Sequence, residues 1–332
     1  QWVKTFGGND YDWAFSVQQT SDGGYIVAGF TESFGAGGDV FLLKTNASGN
    51  LQWAKTFGGS SDDGALSVQQ TSDGGYILAG VTSSFGAGYD DVFLLKTDAS
   101  GNLQWAKTFG GNDYDWAFSV QQTSDGGYIV AGFTYSFGAG GDVFLLKTDA
   151  SGNLQWAKTF GGSSWDEARS VQQTSDGGYI VAGFTYSFGA GGDAFLLKTD
   201  ASGNLQWAKT FGGNDYDWSY SVQQTSDGGY IVAGFTYSFG AGYNDVFLFK
   251  TDANGNIGTC EIVGSPTPTV NTPSPSVTVP TLTATSPALT ITTPSLTFTS
   301  PTLSVSVPCP LSISEEQRFD GCFADVLRVG KG

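Results

Sequence analysis

Along the first fifty residues, apolar and polar positions form short runs with a period close to two. The runs are Trp2–Phe6, Ala14–Thr20, Tyr25–Thr31 and Val40–Thr45. They are rich in β-branched and aromatic residues. Ser21-Asp22-Gly23-Gly24, Gly35-Ala36-Gly37 and Ala47-Ser48-Gly49-Asn50 punctuate them. Such runs, bounded by Gly, Asp, Asn and Ser, predict four strands joined by tight turns. No stretch of the pattern shows the 3.6-residue period of a helix. The whole pattern then returns. Its leading tryptophan recurs at Trp2, Trp53, Trp105, Trp156 and Trp207, spaced by 51, 52, 51 and 51 residues. The extra residue of the second unit falls in the loop Gly86-Ala87-Gly88-Tyr89-Asp90-Asp91, where an insertion costs little. Four short antiparallel strands in about fifty residues is the size of one propeller blade.

The segment Asp22-Gly23-Gly24-Tyr25-Ile26-Val27-Ala28-Gly29, its four copies, and the following Asp39-Val40-Phe41-Leu42-Leu43-Lys44 run carry a family likeness. They resemble the kelch-like β-propeller repeats of secreted bacterial and archaeal proteins. The resemblance covers residues 1 to about 257 and implies an all-β, five-bladed β-propeller. If a blade begins at Tyr25, the last blade joins two C-terminal strands to the two N-terminal ones and ties the ring. An open stack of sheets is the other arrangement. Residues 257–264 depart from the repeat, as if it were complete there. Units one, three and five share Gly-Gly-Asn-Asp-Tyr-Asp-Trp, whereas units two and four carry Gly-Gly-Ser-Ser, which duplication of a two-unit block explains.

A different pattern follows. Residues 258–279 read as a linker, 280–314 as an extended β-like Thr/Pro-rich tail, and 315–332 as a small charged element. From Ser265 to Ser314 there is no charged residue, and prolines recur at 280, 287, 294, 301 and 308. Proline at that interval, with many β-branched residues, excludes helix. Leu289 and Ile291, like Leu296 and Phe298, share one face of an extended chain, with Thr and Ser on the other. An uncharged strand of this kind invites edge pairing unless something covers it. Fifty extended residues reach about 150 Å, so the tail is expected to add strands to neighbouring protomers. A glycosylated stalk is the blander reading of a Ser/Thr/Pro-rich segment.

Charge narrows the partners. The formal net charge of −17 repels phosphate backbones and argues against nucleic acid. No run of 18 apolar residues offers a membrane span. The chain has no His, which removes the commonest general base and metal ligand, and no Met, which suggests a processed or partial chain. Its three cysteines, Cys260, Cys309 and Cys322, allow at most one bridge within a chain, with the pairing open.

Candidate chemistry concentrates in three equivalent loops. Asp10, Tyr11, Asp12 and Trp13 recur as Asp113, Tyr114, Asp115 and Trp116, and as Asp215, Tyr216, Asp217 and Trp218. Carboxylates beside exposed aromatic rings suit a sugar site. Equally, the rings can pack between blades while the aspartates shape the turns. Paired carboxylates repeated three times do not point to an active site, and no enzyme activity is expected. Asp98-Ala99-Ser100-Gly101-Asn102 offers oxygen ligands for calcium but also reads as a hairpin turn; no cofactor or metal is expected. Asn46-Ala47-Ser48 is an N-glycosylation sequon. Thr283, Thr285, Thr290, Thr292, Thr297 and Thr299 are O-glycosylation candidates. Together these features lead to two expectations. The first is a self-associating structural subunit of an extracellular, glycosylated filament or surface layer. The second is a stalked, multivalent carbohydrate-binding propeller.

Overall fold

The computed structural model describes residues 2–240, 242–258, 263–271, 276–278, 283–285 and 290–292. Cys260, Cys309, Cys322, Thr297, Thr299 and the element at 315–332 lie outside them. The described chain is all β. A short strand β1 (Thr5–Gly7) precedes five sheets. The first is β2 (Asp12–Gln19), β3 (Tyr25–Thr31), β4 (Asp39–Thr45) and β5 (Leu51–Gly58). The second is β6 (Asp63–Gln70), β7 (Tyr76–Thr82), β8 (Asp91–Thr97) and β9 (Leu103–Gly110). The third is β10 (Asp115–Gln122), β11 (Tyr128–Thr134), β12 (Asp142–Thr148) and β13 (Leu154–Gly161). The fourth is β14 (Asp166–Gln173), β15 (Tyr179–Thr185), β16 (Asp193–Thr199) and β17 (Leu205–Phe211). The fifth has three strands, β18 (Asp217–Gln224), β19 (Tyr230–Thr236) and β20 (Asp245–Thr251). Each is an antiparallel meander, the blade of a propeller-like repeat.

Local chemistry explains the strict repetition. In the first turn Gly23 has φ +80°, a conformation only glycine adopts freely. Gly24 lies so close to the Thr45 carbonyl that a Cβ would approach it to 2.1 Å. That closeness seats Lys44, whose Nζ donates to Asp22 Oδ2 at 2.9 Å, the Thr45 carbonyl at 2.9 Å and Gln52 Oε1 at 3.0 Å. All three ammonium protons are used, which is what permits a lysine to be buried. Lys96, Lys147 and Lys198 repeat the arrangement. In every unit the first strand carries a bulge, between Ala14 and Ser16 in β2.

Adjacent sheets share one core. Ile26, Val40 and Leu42 of the first meet Ala65, Val68 and Tyr76 of the second, and three further junctions repeat this. A polar seam runs beside each core: Gln70 N–H donates to Gln18 Oε1, and Val68 N–H to Ser16 Oγ at 3.1 Å. The fourth strand of each of the first four units also clamps the next unit. Trp53 in β5 packs on Tyr76 with ring centroids 5.8 Å apart, and a Cβ at Gly101 would lie 2.7 Å from its ring.

Among the described residues, the tail adds one strand to each of the first four sheets and one to β1. β21 (Val263–Gly264), β22 (Thr269–Asn271), β23 (Ser276–Thr278) and β24 (Thr283–Thr285) pair antiparallel with β17, β13, β9 and β5; β25 (Thr290–Thr292) pairs with β1. Val263, Val270, Val277, Ala284 and Ile291, spaced by seven, stand opposite Phe211, Phe160, Phe109, Phe57 and Phe6. One heptad is therefore one step from blade to blade. The expectation that these strands join neighbouring protomers is corrected by this pairing: β21–β25 edge their own chain's sheets. The expected tie between first and last units also differs: β25 takes one edge of β1 as β24 takes one edge of β5, and among the described residues the other edge of β1 is not paired with β20.

Candidate functional site

The three acidic-aromatic loops are divided between folding and surface. Asp12 is committed to the turn: its Oδ2 accepts from Gly8 N–H at 2.8 Å and Ser33 Oγ–H at 2.9 Å. Asp115 and Asp217 are wholly buried and accept the equivalent bonds. Asp10 and Asp113 each accept from the following tyrosine N–H, and Asp215 N–H donates to Ser238 Oγ. Tyr11, Trp13, Tyr114 and Tyr216 are exposed. Trp218 instead stacks on Phe184 of the preceding sheet at 4.0 Å, and Trp116 Nε1–H donates to Asp90 at 3.0 Å. In the turn offered for calcium, Asp98 accepts from Ser100 N–H, Asn102 N–H and Asn102 Nδ2–H, so its oxygens face their own turn. Asn46 caps the same turn in the first unit, accepting from Ser48 and Asn50 N–H.

Carboxyl pairs also lie at the junctions between sheets. A Cβ at Gly110 would come within 1.8 Å of Asp91 Oδ1 and 2.7 Å of Asp115 Oδ2, so only glycine leaves room for both groups. The same grouping surrounds Gly58, Gly161 and Gly212. Asp91, Asp142 and Asp193 are pushed up to about 7, and Asp39 to about 6, first by burial and then by the facing carboxylate.

One junction is unlike the others. Where units one and three read Asp-Trp-Ala-Phe, the fourth reads Asp166-Glu167-Ala168-Arg169. Glu167 is 1% exposed and forms an ion pair with Arg169. Burial pushes its carboxyl up to about 7 against the opposing pull of that guanidinium. Arg169 lies over the Phe118 ring at 4.1 Å. Together with Trp116, Tyr135 and Trp165 they line a cleft of about 290 Å³. Tyr135 is also a wall of a second, polar hollow of about 370 Å³ holding Asn112, Asp113 and Ser136. Sequence reasoning passed over Glu167 and Arg169. Their signal was present as the only arginine within the five repeats, at a position aromatic in units one, three and five.

No family model matches the chain. The regulatory protein FlaEY of Caulobacter vibrioides is similar, with 28% identity over 245 residues that cover 67% of this chain and 23% of that protein. The chain thus spans about a quarter of that relative's length.

The two outer faces of the stack are the remaining feature. Val17 is 66% exposed, whereas its equivalents Val68, Val120, Val171 and Val222 are 3–6% exposed inside junctions. On the fifth sheet Val246 is 84% and Leu248 57% exposed, where Val40, Leu42, Val92 and Leu94 are at most 1% exposed. Each face is thus half of a junction that the chain makes four times.

Proposed function

We propose that this chain is a structural subunit that polymerises head to tail, the fifth unit of one copy docking on the first unit of the next, within an extracellular, glycosylated filament or surface layer. The observation that carries this reading is the strand count. Among the described residues, four sheets contain five strands, four from a repeat and one from the tail; the remainder are a three-stranded sheet, β18–β20, and a two-stranded one, β1–β25. Three and two make the same five. β1 already sits where a preceding blade's fourth strand belongs, since Trp2 packs on Tyr25 at 5.8 Å as Trp53 does on Tyr76. Internal registers set Val40 opposite Phe57 and Val143 opposite Phe160. By the same register Val246 of one copy pairs with Phe6 of the next, covering Ala14 and Val17 with Val246 and Leu248.

Repeats of one kind bury their faces only against neighbours, and a heterologous contact of this sort propagates without closing. The Ser/Thr/Pro-rich tail composition supports placement outside the cell. Sedimentation velocity across a concentration series is the test, with electron microscopy of the same samples. Dimers, trimers and longer rods that Val17→Asp or Leu248→Asp reduce to monomers support the reading. A monomer at every concentration, open or closed on itself, sinks it.

A further inference from the structure

We infer that the cleft at the junction of the third and fourth units binds a neutral saccharide, one pyranose ring lying on its aromatic compartment with hydroxyls held by Glu167 and Arg169, and the adjoining ring reaching Asn112 and Asp113. The inference is independent of polymerisation, because the cleft lies at an internal junction away from both outer faces.

Four observations converge. First, the two hollows share Tyr135 and measure about 290 and 370 Å³, together within the roughly 300–1,000 Å³ typical of small-ligand sites. Second, the aromatic compartment is lined by the rings of Trp116, Tyr135 and Trp165, the kind of surface on which the C–H face of a sugar packs. Third, Glu167 and Arg169 place an acceptor and a donor side by side in that apolar setting. Each of two adjacent hydroxyls both donates and accepts, so a diol satisfies the pair without adding charge. An anionic ligand would meet the buried carboxylate and the chain's net charge of −17, and a cationic one the guanidinium. Fourth, the indole N–H of Trp165 is buried with no acceptor in the structure, a cost that a ligand oxygen would relieve.

The site is single despite the repeat. Gly64 and Leu66 stand at the Glu167 and Arg169 positions in unit two, and Trp and an aromatic stand there in units one, three and five. Nor is the ion pair needed to hold the blade together, since the other units fold without one.

Tryptophan fluorescence titration of the full chain with neutral disaccharides (cellobiose, maltose, chitobiose and mannobiose) tests the inference, beside sialyllactose and a heparin disaccharide. Saturable binding of at least one neutral disaccharide is expected. Glu167→Gln and Trp165→Ser are each expected to weaken it about tenfold or more. The double replacement Glu167→Trp with Arg169→Phe installs the residues of unit three, keeps the blade's packing and abolishes binding. Trp13→Ala, outside the cleft, leaves binding unchanged. The inference is overturned by no binding of any neutral disaccharide, by preference for the anionic sugars, or by binding that survives the double replacement in a chain with native circular dichroism.

Discussion

At the residue scale the most informative groups are carboxyls pulled in opposite directions. Asp39, Asp91, Asp142 and Asp193 have folded pKa values raised to about 6–7 by burial and a facing carboxylate. Their Oδ1 atoms accept no hydrogen bond. A raised carboxyl binds its proton more tightly in the folded chain than in the unfolded one, where the value is about 3.9. Its contribution is complete below about pH 4 and is lost as pH rises through 6–7. Asp73, Asp125 and Asp176 behave oppositely. Despite some desolvation they are held at about 2 by hydrogen bonds from the neighbouring threonine and buried lysine. Their contribution is present above about pH 4 and is lost as pH falls toward 2. The two sets place maximum stability near pH 4 to 5. Urea midpoints at pH 8, 6, 4.5 and 2.5 check this: the midpoint rises from pH 8 to 4.5 and falls again by 2.5. Asp91→Asn and Asp142→Asn flatten the upper limb only. A midpoint higher at pH 8 than at 4.5 contradicts the assignment.

At the scale of elements, the repeat was legible because its signals are local. Alternating apolar positions, Asp-Gly-Gly turns and a spacing of 51 residues place every strand of the five units to within a few residues. The heptad after Pro280 was equally visible, and β24 and β25 lie in it, but β21, β22 and β23 fall within 258–279, which reads as a linker. The partner of those strands was not legible, since pairing is non-local and seven residues specify a step without saying between what. The structure shows the step to be one blade of the same chain, so β21–β25 act as edge covers. Without them β5, β9 and β13 present bare fourth-strand edges, a template for aggregation. Truncation after Gly264 is therefore expected to lower the thermal midpoint by several degrees and to make heating irreversible, as light scattering would register. An unchanged midpoint and a clear solution would mean the tail covers nothing of consequence. The cleft was missed for a related reason. A search for repeated motifs weighs what recurs, whereas Glu167 and Arg169 matter because they do not.

At the scale of the whole molecule, the stack is polar, with unit one at one end and unit five at the other. An interface joining unlike faces makes a specific demand that symmetric association does not. Val17→Asp spoils only the first-unit face and leaves Val246 and Leu248 intact; Leu248→Asp does the reverse. Each variant alone is monomeric, yet an equimolar mixture has one good face of each kind. It is expected to form a one-to-one dimer and nothing longer, with a stoichiometry that light scattering after size exclusion reads directly. Added in small amounts to the unaltered chain, either variant joins one end of a growing rod and stops it, shortening rods in proportion to its share. The junction it blocks is the one repeated four times within each chain, with a core of the same residue types and a seam in which Gln223 of one copy takes the part of Gln172. An unaltered mixture that stays monomeric, or a mixture of the variants that runs on to long rods, would show that the outer faces are not each other's partners.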